Sequence, residues 1–462
     1  MRIRKSAFER RVKGTNRIEF GEQQLTSFAG LELVLRFVQR IGLRARLHAL
    51  GRRLALGGDV GFGSMVLLLV GMLVIGAKRL RHIRFVDADP MVRRFAGMAR
   101  VPDERTLARF LGRFRRRHWR EFDALNEQLI WQAVEPLDLK RLTLDIDGVV
   151  LCTGLQTERA FRGYNPHHRK NPSYYPITIQ IAQTGHLLAH ENRSGDVHDS
   201  KGAARFLRET VTRVRKRGFD GVLEFRADSA FFQRKILEVC ERRRLEYAIK
   251  VPMWPWLNLK TRIRANAPET WECVDPANKV EGFFMDLPIA QWKRAERVGV
   301  FRKRVNHKTA KSVQLDLFHP DDGRWEYSVI ATNKTLGLKA LWRFAHGHSA
   351  QEKAFAELRG GYAFDAIPTK RYSANTVWQK LNVLAYNLMT SFQLETTAAA
   401  KPRSLRRTTC FVIQSIRTLR FTWISRAARL INRAGRRILK LAADSGVREA
   451  YEKIESALPK AA

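Results

Sequence analysis

The feature that most constrains the fold of this chain is a change of hydrophobic period near Arg141. Over LTLDID, Leu142, Leu144 and Ile146 face one way while Thr143, Asp145 and Asp147 face the other, the period of a half-buried strand. PITIQIA and HLLAHE, joined through a Thr184-Gly185 turn, read as a hairpin of two more strands. SKGAARFLRETVTRVRKRG has helical spacing and closes at Gly218. GVLEFRADS is then a strand, FFQRKILEVCERR a helix and LEYAIKV a strand.

The resulting order, β-β-β-α-β-α-β with an aspartate ending the first strand and another ending the fourth, is that of an RNase H-like α/β domain. In such sheets functional groups collect where strand ends meet loops. Residues 255–332, rich in Trp, Phe and Val between turn residues, read as a β-rich insertion that interrupts this core. The core is expected over 138–254 and again over 333–396, where a helix from about Leu336 carries Glu352 and YSANTVWQKLNVLAYNLMTSF forms an amphipathic helix. Residues 1–137 read as a helical, basic DNA-binding region. Residues 397–462 read as a basic helical region, in which ISRAARLINRAGRRILKLAA offers helices for DNA or for dimerisation.

The longest apolar run, Met65–Gly76, is too short to span a bilayer and is expected as a buried helix. Cys152, Cys240, Cys273 and Cys410 are scattered without a CxxC pair, which argues against a zinc site and a disulfide framework and favours a cytoplasmic setting.

Charge identifies the partner class. With 84 Lys and Arg against 45 Asp and Glu the chain carries a formal +39, a field that favours a polyanion through counterion release. After Pro102 a helix is expected with Leu107, Phe110, Leu111 and Phe114 on one face. Arg105, Arg109, Arg113 and Arg116 form a stripe on it, either a DNA-binding face or a solvated one.

Three acids stand out: Asp147 in LTLDIDG, Asp228 in EFRADSAFF and Glu352 in HSAQEKAFAELR. Separated carboxylates suit phosphodiester chemistry, because Mg²⁺ takes hard oxygen ligands and in-line displacement uses two such ions. Asp145 shares a strand face with Asp147 and is a further metal candidate. Asp228 also suits a helix N-cap. Glu352 is preferred over Glu357 because helix phase groups it with Phe355 and Phe344, whereas Glu357 follows Lys353 by one turn as a solvated ion pair would. Arg226, on the strand that ends in Asp228, either contacts DNA or neutralises the acids.

Together LDIDG, RGYNPHHRKNPSYYP, QTGHLLAHENRSGD, RADSAFF, the Glu352 helix and the AYNL helix resemble the bacterial insertion-sequence DDE transposases, in particular the branch typified by insertion sequence thirteen-eighty. The resemblance covers roughly Arg141 to Phe392. It implies cut-and-paste transposition by DNA strand cleavage and strand transfer at terminal inverted repeats, in a homodimeric synaptic complex in the bacterial cytoplasm at the nucleoid. It also implies two Mg²⁺ or Mn²⁺ ions held by Asp147, Asp228 and Glu352. Around the glutamate the wider superfamily carries Tyr, Arg and Lys, where this chain has Ala345, His348 and Arg359, so His348 and Arg359 become candidate phosphate clamps. Arg162, Tyr164, Asn165 and His168 are candidate DNA contacts in the RGYNPH loop, although Asn165-Pro166 also suits a turn. Trp325 is the candidate for stacking on a flipped base, against a core role. Two rival readings are an RNase H-fold nuclease without strand transfer and an inactive, domesticated DNA-binding protein.

Overall fold

The computed structural model describes residues 24–56, 58–154, 156–163, 171–304, 325–402, 408–442 and 444–458. Its centre is a mixed sheet of nine strands. A second sheet of three strands joins β1 (Leu25–Thr26) to a hairpin near the C-terminus. The large sheet contains β2 (Arg141–Gly148), β3 (Ile177–Ile181), β4 (Leu187–Glu191), β5 (Val222–Ala227) and β6 (Glu246–Val251). It continues through β7 (Glu272–Asp275), β8 (Val280–Ile289), β9 (Arg294–Arg304) and β10 (Trp325–Thr332). The spatial order is β4-β3-β2-β5-β6-β10-β9-β8-β7. Among the described strands, only β2 with β5 and β5 with β6 pair in parallel.

The N-terminal region is helical, as its periodicity predicts. Every residue of α1 (Phe62–Ile75) is buried, and among the described residues no helix is long and apolar enough to cross a membrane. In α2 (Glu104–Gly112), Asp103 caps the start by accepting from Thr106 N at 2.8 Å. Leu107, Phe110, Leu111 and Phe114 are buried and Arg105, Arg109 and Arg113 are exposed. The long α3 (Arg116–Val134) then bridges the helical core and the sheet, burying Phe122 and Leu125 in the first and Ile130, Trp131 and Val134 in the second. Helices α4 (Ala203–Lys216) and α5 (Arg234–Arg242) cover the apolar sheet face formed by Leu142, Leu144, Ile146, Leu223 and Phe225.

Three expectations change, and the β-rich segment 255–332 gains a position. Its β10 pairs antiparallel with β6, Val329 opposite Val251, and carries the sheet outward, so the free edge that β6 would present is paired. The same segment holds a helix, Leu259–Asn266, that its aromatic composition did not signal.

The helix expected from Leu336 is two helices, α6 (Leu338–His346) and α7 (Ser349–Tyr362), broken at Gly347. A Cβ on Gly347 would lie 2.0 Å from Arg226 Nη1, so the break is where a buried guanidinium meets backbone.

The helix α8 (Tyr372–Thr396) is not amphipathic: Ala374 to Gln393 are all buried. It lies against β4, and several of its buried polar groups bond there. His190 Nε2 meets Gln379 Oε1 at 2.9 Å, Leu187 N donates to Asn387 Oδ1 at 2.9 Å, and His186 Nε2 meets Ser391 Oγ at 3.0 Å.

Finally, within ISRAARLINRAGRRILKLAA residues 428–441 form a hairpin rather than helices, with β11 (Ala428–Arg433) and β12 (Arg436–Leu441). Ala434 and Gly435 take φ of 49° and 74°, the primed turn that matches strand twist, and β11 pairs with β1 from the other end of the chain. That distant pairing overrides the local helical propensity. The C-terminal α9 (Ser445–Ala457) is helical as expected.

Candidate active site

Along β2 and β5 the face of the large sheet opposite its apolar core is also buried, yet it is polar, and it rises in rungs. In the first rung Thr143 Oγ1 donates to Glu224 Oε2 at 2.6 Å, and Glu224 Oε1 takes Arg141 at 3.0 Å and Lys334 at 2.6 Å. The second rung pairs Asp145 with Arg226 directly across the parallel register. Arg226 Nε and Nη2 reach the two carboxylate oxygens at 2.6 and 2.7 Å, and the two side chains are 1% and 0% exposed. Arg226 Nη1 also donates to Phe344 O at 2.8 Å. A buried carboxylate held bidentate by guanidinium is charge-balanced, so Asp145 is occupied as an ion-pair partner. The same burial corrects Arg226: it has no surface on which to meet DNA, and of its two open roles it fills neutralisation.

The third rung has two acids. Ile146 is opposite Ala227 in register, and the next residues, Asp147 and Asp228, end adjacent parallel strands whose backbones run about 5 Å apart. Asp147 Oδ1 accepts from Gly148 N at 2.7 Å. Asp228 is exposed, and its Oδ1 accepts from Ala230 N at 2.9 Å, so it does cap the short turn Ser229–Phe231 while lying beside Asp147. Burial pushes the Asp147 carboxyl up to about 7; His348 opposes this, and the negative charges of Asp228 and Asp199 add to it.

Asp199 is an acid that sequence reasoning missed. Its Oδ1 would be 2.6 Å from a Cβ placed on Gly148, so the glycine after Asp147 is where this carboxylate packs. That oxygen is buried without a hydrogen-bond partner. Burial also raises the Asp199 carboxyl, with a hydrogen bond from Tyr175 opposing and Asp228 adding. The buried Arg193 holds the loop by donating to Asp199 O at 2.8 Å and Lys201 O at 2.9 Å. The sequence signal was confined to Gly148, because GDVHDS has no periodicity to mark its second aspartate.

Helix α7 is fastened over the end of β2. His348 Nε2 meets Ile146 O at 3.0 Å, Gln351 Nε2 donates to Thr178 Oγ1 at 3.0 Å, and Arg359 Nη2 donates to Val150 O at 2.6 Å. At about 100° per residue, His348, Glu352 and Arg359 fall within one narrow stripe. The exposed Glu352 therefore stands on the helix face between two anchors that bracket Asp147 along the chain. In this structure His348 and Arg359 bond to backbone carbonyls of the segment that holds Asp147. Glu357 is corrected as well: it is partly buried, its carboxyl is raised by that burial, and its Oε1 accepts from Ile416 N at 2.5 Å instead of forming a solvated pair with Lys353.

Among the described residues, no three His, Cys, Asp or Glu side chains already close on one point as in a preformed metal centre. The donors around Asp147 nevertheless fit a hard divalent cation. They are carboxylate oxygens, one of them buried and unsatisfied, and Asp147 is costly to ionise without a counter-charge.

The remaining candidates lie elsewhere. Arg162 is exposed beside the bridge between Phe161 and Ser173, while Tyr164, Asn165 and His168 lie outside the described residues. Trp325 is half-buried, and the Arg302 guanidinium sits between its ring at 4.3 Å and that of Trp271 at 4.0 Å, a packed arrangement.

The family model described as "Transposase DDE domain group 1" matches residues 8–462. A search of curated proteins gives no match. Solved structures similar to the chain include the cryo-EM structure of a piggyBac transposase synaptic complex with hairpin DNA. That similarity has a TM-score of 0.42 at 12% identity and covers 95% of this chain and 88% of that one. By the family match the chain belongs to the DDE transposases of group 1.

Proposed function

We propose that this group 1 DDE transposase cuts and rejoins DNA in cut-and-paste transposition of a bacterial insertion sequence, acting at terminal inverted repeats through Asp147, Asp228 and Glu352. The observation that carries the reading is the third rung. Where Asp145 has a guanidinium across the register, Asp147 has another carboxylate, and burial and like charge hold its proton on to about 7. Such a pair is stable only with an added cation or a retained proton. On this reading β2 to β6 with α4 to α8 form an RNase H-like core, and β7 to β10 belong to an insertion before the glutamate.

Two Mg²⁺ or Mn²⁺ ions bound there would supply Lewis-acid activation of the attacking oxygen and charge relief at the leaving oxygen. The chain's own contribution is placement. Gly148 N holds one oxygen of Asp147 and Ala230 N one oxygen of Asp228, so each carboxylate offers its other oxygen in a defined direction. Glu352 is assigned as the third ligand, and its surface position on α7 suits a ligand completed when DNA arrives. Exposed arginines such as Arg105, Arg109, Arg113 and Arg162 are assigned to phosphate contacts, and two copies to the synaptic complex.

The test is an excision and joining assay with Mn²⁺ or Mg²⁺, comparing the unmodified chain with Asp147→Asn, Asp228→Asn and Glu352→Gln at matched DNA binding. Each substitution is expected to lower cleavage and joining by about 100-fold or more, as expected when binding of metals that carry the chemistry is lost. Cleavage without joined product in the unmodified protein would establish the nuclease reading instead. Full joining by all three variants would remove these residues from the site.

A further inference from the structure

The hairpin β11–β12 carries Arg429, Arg433, Arg436, Arg437 and Lys440, and residues 427–442 contain no acid. Its register sets cations against cations: Arg429 is opposite Lys440 and Arg433 opposite Arg436. Between these two rungs Ile431 faces Ile438, which is 40% exposed. By the period-two rule these six residues share one face. The other face presents Leu430 and Leu439, which pack against the helical core. Like charges directly opposite on a ribbon are destabilising, and all four of these cations are exposed. A ribbon that is anchored on one face and self-repelling on the other fits a polyanion that supplies the missing countercharge.

We propose that the β11–β12 ribbon is a double-stranded DNA-binding element that enters the major groove, with Arg429, Arg433, Arg436 and Lys440 against the flanking phosphates and Ile431 and Ile438 toward the base edges. The major groove is about 12 Å wide and admits a two-stranded ribbon. Antiparallel strands lie about 5 Å apart, leaving room for long cationic side chains to reach the groove walls. The segment that leads into the ribbon is tied to the helix that carries Glu352 and to α1. The ribbon follows Ile416, whose N–H is held by Glu357 of α7, and Arg420 Nε and Nη2 donate to Val74 O and Leu73 O at 2.7 and 2.6 Å. The inference rests on the reading of the chain as a DNA-handling protein, but names a surface distinct from the carboxylates and from the α2 stripe.

The test measures binding of the full chain to a labelled mixed-sequence duplex about three helical turns long, from low to moderate salt, alongside the same sequence as a single strand. The variant is Arg429→Gln, Arg433→Gln, Arg436→Gln, Lys440→Gln, with the corresponding Arg→Lys variant as a charge-conserving control. Each lost phosphate contact removes about 0.9 from the slope of log affinity against log salt, so the slope should flatten by about 2 to 4. Duplex affinity should fall by at least about tenfold at low salt, with the lysine variant near the unmodified chain. The Gln variant should melt at the same temperature as the unmodified chain or higher, because repulsion is relieved, which separates lost binding from lost folding. Unchanged duplex affinity and slope overturn the proposal. So does a loss confined to single strands, or a change in oligomeric state with duplex binding intact. Asp147→Asn in parallel should leave this binding unchanged while abolishing cleavage. Failure of that arm speaks against the active-site reading and not against the ribbon.

Discussion

The imidazole Nε2 of His348 stands 3.0 Å from the carbonyl oxygen of Ile146, the residue immediately before Asp147. This contact joins the helix that carries Glu352 to the strand that carries Asp147, across a sequence separation that no local pattern bridges. Removing it should let α7 drift. His348→Ala is expected to lower cleavage by about 10- to 100-fold, the scale of a misplacement near 1 Å, with duplex affinity unchanged. His348→Gln, whose amide donates to the same oxygen, should recover much of the loss. Equal defects in both variants would mean that the imidazole acts on DNA and not on the helix.

The raised Asp147 carboxyl makes a pH prediction. Its folded value of about 7 lies above the ordinary carboxylate value of 3.8, so between these limits the folded chain binds more protons than the unfolded one. In the absence of metal, its contribution to stability therefore declines as pH rises through that window, and Asp147→Asn should remove the decline. A divalent ion must displace the proton, so Mn²⁺ affinity should rise about tenfold per pH unit below 7 and level off above it. Isothermal titration calorimetry from pH 5.5 to 8.5 reads this out; a flat profile would remove Asp147 as the titrating ligand.

Asp199 adds negative charge to the same place. Asp199→Asn should move the midpoint of the Mn²⁺ affinity profile to lower pH, because a like-charge neighbour no longer holds the Asp147 proton. Gly148→Ala should be worse tolerated, since its methyl would meet Asp199 Oδ1 at 2.6 Å. A loss of about 1 to 3 kcal/mol in denaturant unfolding is the overpacking scale. An unmoved midpoint in Asp199→Asn would detach this residue from the site.

The Asp145–Arg226 pair should behave as structure and not as a DNA contact. Arg226→Ala leaves a buried carboxylate alone and is expected to cost about 3 to 5 kcal/mol. The double change Asp145→Leu, Arg226→Met should regain most of that, since apolar replacement of a buried pair is often neutral. Equilibrium unfolding measures both, and an Arg226→Ala chain of unchanged stability but weakened DNA affinity would restore the DNA-contact role.

Glu357→Gln provides the matched control for Glu352→Gln. It weakens a bond to Ile416 N and should cost about 1 kcal/mol in stability, with cleavage retained. Comparable loss of cleavage in both would undo the preference for Glu352.

What the sequence determined by itself was whatever a single element encodes. The alternation of LTLDID marked β2 and the face of Asp147, Pro102 and Asp103 marked the start of α2, and Gly185 and Gly218 marked chain reversals. The uniformly apolar Met65–Gly76 announced a helix buried all round. Tertiary structure alone decided how those elements meet. It separated Asp145 from Asp147, identical neighbours on one strand face, by putting Arg226 across from one and Asp228 beside the other. It brought Asp199 against Gly148 from a loop without periodicity, and broke the Leu336 helix where Arg226 approaches Gly347. It turned the basic C-terminal segment into a ribbon by pairing it with Leu25 and Thr26. The physical reason is common to all four. Periodicity and capping act over one turn or one strand, whereas charge balance, steric exclusion at a missing Cβ and strand pairing depend on distances that chain order does not encode.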